Sequence, residues 1–258
     1  MKKRTITYCL VSIVIVFASC KKDKPASIYM GYDYFPNNIG HWVIYNVDSI
    51  SFNPVLTAGS DTFNYQIKDV IDSFYTDNTG TRTQVIIRYK RANSSASWLY
   101  QKTYTANLYP TRATRTEDGV KYVKLAFPVA VNTTWNGGAY NALPSTYFQW
   151  DDTVFQYTSV NSPLSINGVY FDSTLTVLQD NENTQEYHRS YTEQYAVGVG
   201  RISKQITEID ANGVIIWFDP NYGLDSLLVN SDYNVLVKAG RLAQGSTIYS
   251  ETYVASGN

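Results

Sequence analysis

Strict alternation of apolar and polar residues is the pattern that most constrains the fold of this chain. From Phe63 the apolar side chains fall at positions 63, 65, 67, 71 and 75, and the charged Asp69 interrupts them. This period of two is typical of a β-strand with one face on a core and the other in water. Further strands are predicted at 84–90, 97–107 and 120–127, and no segment has a convincing amphipathic helical pattern.

Glycine-containing turns separate these runs. Asn167-Gly168 and Asn212-Gly213 each lie between two apolar segments. Asn-Gly favours type I′ hairpin turns, because both central residues need a positive φ. Gly198-Val199-Gly200 indicates a tight turn or a bulge, since Ser203 occupies the next glycine position that a phosphate-binding loop requires.

One segment fits two structures. Tyr187, Tyr191 and Tyr195 recur every four residues, which suits one face of a helix as well as one face of a strand. The β-propensity of Tyr, Thr and Val favours a strand. The sequence therefore predicts an all-β protein, a single large antiparallel meander of about a dozen strands that forms a curved sheet, a half-barrel or a sandwich.

The first 24 residues have the pattern of an export signal. Lys2, Lys3 and Arg4 precede an apolar run over 6–17, which is shorter than the roughly 20 residues that span a bilayer. Small residues then precede Cys20. The arrangement resembles the lipobox of bacterial lipoproteins, in which the cysteine receives a diacylglycerol and becomes the new N-terminus. The resemblance implies a membrane partner held through acyl chains such as palmitate on Cys20.

Three segments follow from this assignment. Residues 1–19 are predicted to be a lipoprotein signal peptide, residues 20–33 a lipidated flexible tether, and residues 34–258 an all-β domain. The expected location is the outer membrane of a Gram-negative bacterium, on its periplasmic or its cell-surface face. Because Cys9 leaves with the signal peptide and Cys20 carries lipid, the domain has no cysteine pair for a disulfide.

Three short stretches resemble an uncharacterised family of bacterial envelope lipoproteins. They are Tyr34-Phe35-Pro36 with Gly40-His41-Trp42 and the run to Ile50, Phe127-Pro128 with Trp135-Asn136-Gly137, and Glu193-Gln194-Tyr195-Ala196-Val197-Gly198-Val199-Gly200-Arg201-Ile202. The resemblance implies a curved antiparallel sheet like that of the lipoprotein carriers of the periplasm, and it implies no activity. In the first stretch, Trp42 is expected to pack inward on the sheet.

Composition and motifs argue against several functions. Without residues 1–19 the chain carries 18 basic and 22 acidic residues, a net charge of −4, which disfavours nucleic acid as a partner. No catalytic residue, metal ligand or cofactor is predicted, since His41 and His188 lie far apart and no catalytic motif occurs. A glycosidase needs two facing carboxylates, and the candidates are Asp151, Asp152, Asp180, Glu182, Glu186, Glu193, Asp219 and Asp225.

Aromatic residues make up 15% of the chain and include 23 tyrosines. Two groups stand out, Tyr29, Tyr32 and Tyr34 in one and Tyr140, Tyr147, Phe148 and Trp150 in the other. Cross-strand packing accounts for such residues, and a platform for sugar rings or an apolar groove does so as well. We therefore expect a non-catalytic binding or accessory protein of the cell envelope. A glycan-binding module, a carrier of an apolar ligand and a glycoside hydrolase are the alternatives.

Overall fold

A computed structural model describes residues 27–52, 60–140, 154–183, 187–210 and 247–258. Within these ranges the chain forms twelve strands, a 3-10 helix at Tyr32–Tyr34 and no α-helix. None of the described segments is a helix long and apolar enough to cross a bilayer. The strands are β1 (Trp42–Phe52), β2 (Ser60–Thr76), β3 (Arg82–Arg91), β4 (Leu99–Tyr109), β5 (Arg112–Glu117), β6 (Val120–Ala126), β7 (Thr134–Asn136), β8 (Val154–Ile166), β9 (Val169–Asn183), β10 (Tyr187–Ala196), β11 (Gly200–Asp210) and β12 (Thr247–Gly257).

The described strands form one antiparallel sheet in the order β6-β5-β4-β3-β2-β1-β12-β11-β10-β9-β8-β7. Strands β1 and β12 pair at its centre, from Trp42 opposite Gly257 to Ser51 opposite Thr247. From this centre the chain runs outward through β2 to the edge strand β6. It then starts again at the opposite edge, β7, and returns to the centre.

The two edges of the sheet approach each other. The backbone N–H of Val123 in β6 donates to the carbonyl of Gly137, just after β7, at 2.8 Å. The indole Nε1 of Trp135 in β7 donates to the carbonyl of Val123, also at 2.8 Å. The sheet is therefore nearly closed and barrel-like, which confirms the predicted all-β meander of about a dozen strands.

Apolar packing beneath this seam holds the edges together. Leu125 in β6, Phe155 and Tyr157 in β8 and Leu175 in β9 belong to one buried cluster. The hydroxyl of Tyr157 donates to the carbonyl of Ala126 at 2.8 Å and accepts from its N–H at 2.9 Å. Tyrosine thus contributes both apolar area and a satisfied polar group at this point.

The turns agree with the sequence where the structure describes them. Asn167 and Gly168 connect β8 to β9 with φ values of 50° and 80°, as the Asn-Gly prediction requires. The segment with Tyr191 and Tyr195 is strand β10, and Gly198 and Gly200 take positive φ in the turn to β11. The predicted Asn212-Gly213 hairpin lies outside the described residues.

Residues before β1 contact the ends of the sheet. The carbonyl of Met30 accepts from Val129 N–H at 3.1 Å, and the carbonyl of Asp33 accepts from Gly198 N–H at 2.8 Å. Tyr34 is fully buried, and its hydroxyl donates to Asn161 Oδ1 at 2.9 Å. Met30 and Asp33 belong to residues 20–33, the segment predicted to be a tether.

The expectation that Trp42 packs inward was wrong. Trp42 is half-buried, with Lys68 Nζ 4.9 Å from its ring centroid and Gly257 against its indole. It lies on the same face of β1 as the exposed Asn46 and Asp48. The buried positions of this strand are the alternate ones, Val43, Tyr45 and Val47.

Candidate functional site

Nine ionisable side chains form a connected interior ion-pair network. It contains four carboxylates and five cations, contributed by seven of the described strands: Asp69, Glu117, Glu193 and Glu251 with Arg88, Arg115, Lys124, Arg201 and Lys204. Charged side chains are rarely buried unless they are paired. The network therefore occupies space that an apolar core fills in most proteins.

Curvature of the sheet brings these residues together. Lys124 in β6 lies 3.0 Å from Glu193 in β10, although seven strands separate β6 from β10 in the sheet order. Glu117 in β5 lies 3.6 Å from Arg201 Nη1 and 3.5 Å from Lys204 Nζ, both in β11. Such contacts require a sheet that bends around them, so the network lies on its concave side.

One end of the network is built around Asp69. Arg88 donates to both carboxylate oxygens, from Nε at 2.6 Å and from Nη2 at 2.8 Å. Arg115 Nη2 adds a further bond at 2.8 Å. Burial opposes ionisation of Asp69, but the charges of Arg88 and Arg115 outweigh it and hold the pKa well below its usual range.

Glu251 continues the network across the centre of the sheet. It accepts from Arg88 Nη1 at 3.1 Å, from the Tyr249 hydroxyl at 2.7 Å and from Arg201 Nη2. Burial works against its negative charge, and Arg201 and Arg88 more than compensate, so its pKa is lowered. The carboxylate is therefore ionised and fully partnered.

Glu193 organises the other end. Its carboxylate accepts from Lys124 Nζ at 3.0 Å, Gln179 Nε2 at 2.8 Å, the Tyr195 hydroxyl at 2.7 Å and Arg201 Nη1 at 3.3 Å. Burial raises its pKa, but Lys124 and Arg201 dominate and lower the pKa to about 2. With no exposed surface, this carboxylate is held by four donors.

Lys124 separates two cavities. The inner cavity, of about 70 Å³, lies between the network and the Phe35-Pro36 corner. The outer cavity, of about 910 Å³, lies between β6 and β7 on one side and β8 to β11 on the other. Lys124 lines both.

Most residues that line the outer cavity have polar side chains, and Val154, Leu178 and Ile206 add apolar ones. Its floor carries Lys124, Lys204 and Glu117, and its aromatic groups are Tyr122, Tyr191 and Phe155. The remaining polar and charged side chains are Thr134, Gln156, Gln179, Asp180, Asn181, Glu182, Arg189 and Glu208. The amides and carboxylates of such a lining can hydrogen-bond the hydroxyl groups of a ligand, and the tyrosine rings can stack on the apolar face of a ligand ring.

In the outer cavity the pKa values of Lys204 and Asp180 are shifted towards their uncharged forms. Burial lowers the pKa of Lys204, and nearby Glu117 only partly restores it. Partial burial raises the pKa of Asp180, and the negative charges of Glu182 and Glu208 raise it further.

The structure disperses the aromatic groups singled out in the sequence. Tyr34 is buried, whereas Tyr29 and Tyr32 are partly exposed. Tyr140 is exposed and accepts a hydrogen bond from Arg112 Nε at 2.8 Å. Tyr147, Phe148 and Trp150 lie outside the described residues, and none of the four described members of these groups lines the outer cavity.

The other sequence candidates are distributed as follows. Asp180 and Glu182 line the outer cavity, and Glu193 belongs to the interior ion-pair network. His41 is buried between Asn258 Oδ1 and the carbonyl of Val199, each at 3.0 Å. Among the described His, Cys, Asp and Glu side chains no group could hold a metal ion. Cys20 and the remaining candidates, Asp151, Asp152, Glu186, Asp219 and Asp225, lie outside the described residues.

The comparisons with known proteins assign no function to this chain. No protein-family model matches the chain, and no curated protein matches it. A crystal structure of a candidate exported protein with a YmcC-like fold from Bacteroides fragilis is similar over 87% of this chain and 98% of that one. Its sequence identity is 10% and the TM-score is 0.36. A likeness this low decides nothing about the function of the present chain.

Proposed function

We propose that this chain is a lipid-anchored, non-catalytic binding protein of the bacterial cell envelope, and that its ligand is a glycan. The observation that carries the proposal is the outer cavity, whose lining combines tyrosine rings with amide and charged side chains. Its volume of about 910 Å³ falls within the range of roughly 300–1,000 Å³ that small-molecule sites occupy.

The same lining argues against a carrier of an apolar ligand. Such a site needs walls of Ile, Val, Leu and Phe, because buried polar groups without partners are costly to desolvate. The floor of the outer cavity instead carries Lys124, Lys204 and Glu117, and the concave side of the sheet behind it holds the ion-pair network. A hydroxyl-rich ligand can add hydrogen bonds to these charged groups, whereas an acyl chain would cover them without gaining any.

The class of ligand can be tested with variants of the two tyrosines that line the outer cavity. Purified mature protein should bind members of a soluble glycan library, measured by calorimetry, and should not bind a fluorescent fatty acid. Tyr122→Ala and Tyr191→Ala should each weaken glycan binding at least tenfold, because each tyrosine offers an apolar face on which a sugar ring can stack. Tyr170→Ala is the matched control, since Tyr170 is 62% exposed and does not line the cavity.

Fatty-acid binding with no glycan binding would overturn the ligand class. Equal loss of glycan binding in the Tyr170 variant would remove the assignment to the outer cavity.

Glycoside hydrolysis is a second candidate because of Asp180. A general acid for glycosidic bonds needs a raised pKa, and partial burial together with Glu182 and Glu208 raises that of Asp180. Chromatography of a bound glycan after prolonged incubation separates binding from cleavage. Intact glycan supports the binding role, and product that disappears in Asp180→Asn would replace it with hydrolysis.

The anchor rests on Cys20 and its preceding signal-like segment. Two or three acyl chains, each contributing about 0.8 kcal/mol per buried methylene, hold a protein durably at a membrane. Metabolic labelling of the native host with a palmitate analogue should mark the wild-type protein and not Cys20→Ala. Equal label on both proteins would exclude lipidation at this residue.

A further inference from the structure

The inner cavity has a positively charged lining. Arg115, Lys124 and Arg201 contribute three cations, whereas Asp69 contributes the one acidic group among its described lining residues. The rest of the lining is largely apolar or aromatic, including Val43, Ile71 and Ile86. The cavity is therefore a small space in which three cationic groups face a single carboxylate.

The network next to it has an excess of one positive charge. Its five cations face four carboxylates, and each carboxylate is already bonded to cations within the network. An uncompensated charge in a buried cluster is strongly unfavourable. The excess therefore calls for an anion or for loss of a proton.

Two arginines that line the inner cavity each have a guanidinium N–H without a hydrogen-bond partner among the described residues. The Nε atoms of Arg115 and Arg201 are buried and donate a hydrogen bond to no described acceptor. Arg115 Nε lies 3.0 Å from Glu117 Oε1 but outside hydrogen-bonding geometry. The Arg201 side chain is only 4% exposed, so bulk water does not supply the missing partner. Buried donors without partners are rare and point to a bound water or ion.

We propose that the inner cavity binds a small monovalent inorganic anion of halide size, held by Arg115 and Arg201. A volume of about 70 Å³ accommodates such an ion with a few waters, since one water needs about 10–15 Å³ on this measure. The apolar walls weaken competition from solvent, and guanidinium groups bind anions through charge-assisted hydrogen bonds. The ion neutralises the excess charge of the network. The site is independent of the glycan proposed for the outer cavity.

Bromide is a suitable probe because it can be located by anomalous scattering. The full mature protein should show a saturable rise in thermal midpoint with sodium bromide and with sodium chloride. Sodium gluconate, whose anion is too large for the cavity, should give no such rise at the same ionic strength. Crystals soaked in bromide should show an anomalous peak beside the Arg115 and Arg201 side chains.

Variants separate this site from general salt effects. Arg115→Gln should abolish the bromide-specific rise, and Arg91→Gln, an arginine outside the network that bonds to Gln66, should retain it. If Arg115→Gln does not fold, the anomalous peak of the wild-type protein decides alone.

Three results would overturn the proposal. The first is an equal rise of the thermal midpoint with all three salts, and the second is bromide bound only at the surface. The third is a neutral Lys204 at pH 7, seen by side-chain NMR, in a protein whose thermal midpoint does not respond to halide. In the last case deprotonation of Lys204 balances the network.

Discussion

Replacing Glu193 by glutamine removes one negative charge from the interior ion-pair network with little change in shape. Glu193 is fully buried and accepts hydrogen bonds from Lys124, Gln179, Tyr195 and Arg201. The amide keeps one acceptor oxygen and turns the other into a donor group. Lys124 and Arg201 then lose a charged partner in a region that water does not reach.

The expected loss of stability is large. Removing one partner of a buried ion pair costs about 3–5 kcal/mol, because the remaining charge stays desolvated. In this network the loss raises the excess from one positive charge to two. The free energy of unfolding of a domain is roughly 5–15 kcal/mol in total. Each kcal/mol lost lowers the thermal midpoint of a domain of this size by about 2–4 °C. Glu193→Gln should therefore lower the midpoint by roughly 6–20 °C.

Lys124→Met is the informative comparison, because it removes a cation at similar side-chain length. Glu193 then keeps Arg201, Gln179 and Tyr195 as donors, and Glu117 keeps Lys204. The excess positive charge of the network disappears. We expect a loss of about 1–3 kcal/mol, the range for a buried acceptor that loses one of several partners.

Urea unfolding at pH 7, followed by tryptophan fluorescence, measures both variants against the wild-type protein. Equal slopes with shifted midpoints would show that stability alone has changed. A free energy of unfolding for Glu193→Gln within 1 kcal/mol of wild type, or a larger loss in Lys124→Met than in Glu193→Gln, would contradict this charge balance.

Three further predictions follow from the same structure. The pKa of Glu193 falls from its ordinary 4.5 to about 2 on folding, so the folded state binds fewer protons in this window and stability should decline as pH drops from about 4.5 towards 2. Acid titration of wild type and Glu193→Gln tests this, and parallel profiles would contradict it. Gly200→Ala should destabilise the protein by roughly 2–4 kcal/mol, because the φ is positive and a Cβ there meets Pro36 Cδ at 2.9 Å. Gly198→Ala has open space around its Cβ and should lose only about 1–2 kcal/mol of stability. Equal losses in chemical denaturation would count against the contact with Pro36. Trp42→Ala should cost about 1–2 kcal/mol rather than the 3–5 kcal/mol of a fully buried tryptophan; a larger loss in the same assay would show that the half-buried ring matters more than its exposure indicates.

Much of the fold could be predicted because strands leave a local signal. Period-two alternation identified β2, and Asn167-Gly168 identified the β8–β9 hairpin. The error at Trp42 came from reading its strand as buried on both faces. The exposed Asn46 and Asp48 share its phase, so the outward position of Trp42 was already present in the alternation.

The ion-pair network leaves a signal in the sequence. Asp69 interrupts the apolar phase of β2, and Glu193 lies in phase with Tyr191 and Tyr195 in β10. A charged residue at a core-facing position predicts a buried partner, which is a sharper inference than the number of charges. The partner itself could not be predicted, because Lys124 meets Glu193 only after the whole sheet has curled.

The pairing of β1 with β12 has a consequence for synthesis. Strands β1 to β6 can form as successive hairpins as soon as they emerge at the site of folding, because each pairs with its neighbour in the chain. The other side of β1 waits for the last described strand. Until β12 is made, β1 presents a row of unsatisfied amide and carbonyl groups at which a second nascent copy could add its own strand. The centre of the finished sheet is thus the nascent chain's most vulnerable edge, and a chaperone that shields residues 42–52 would protect the protein at this stage.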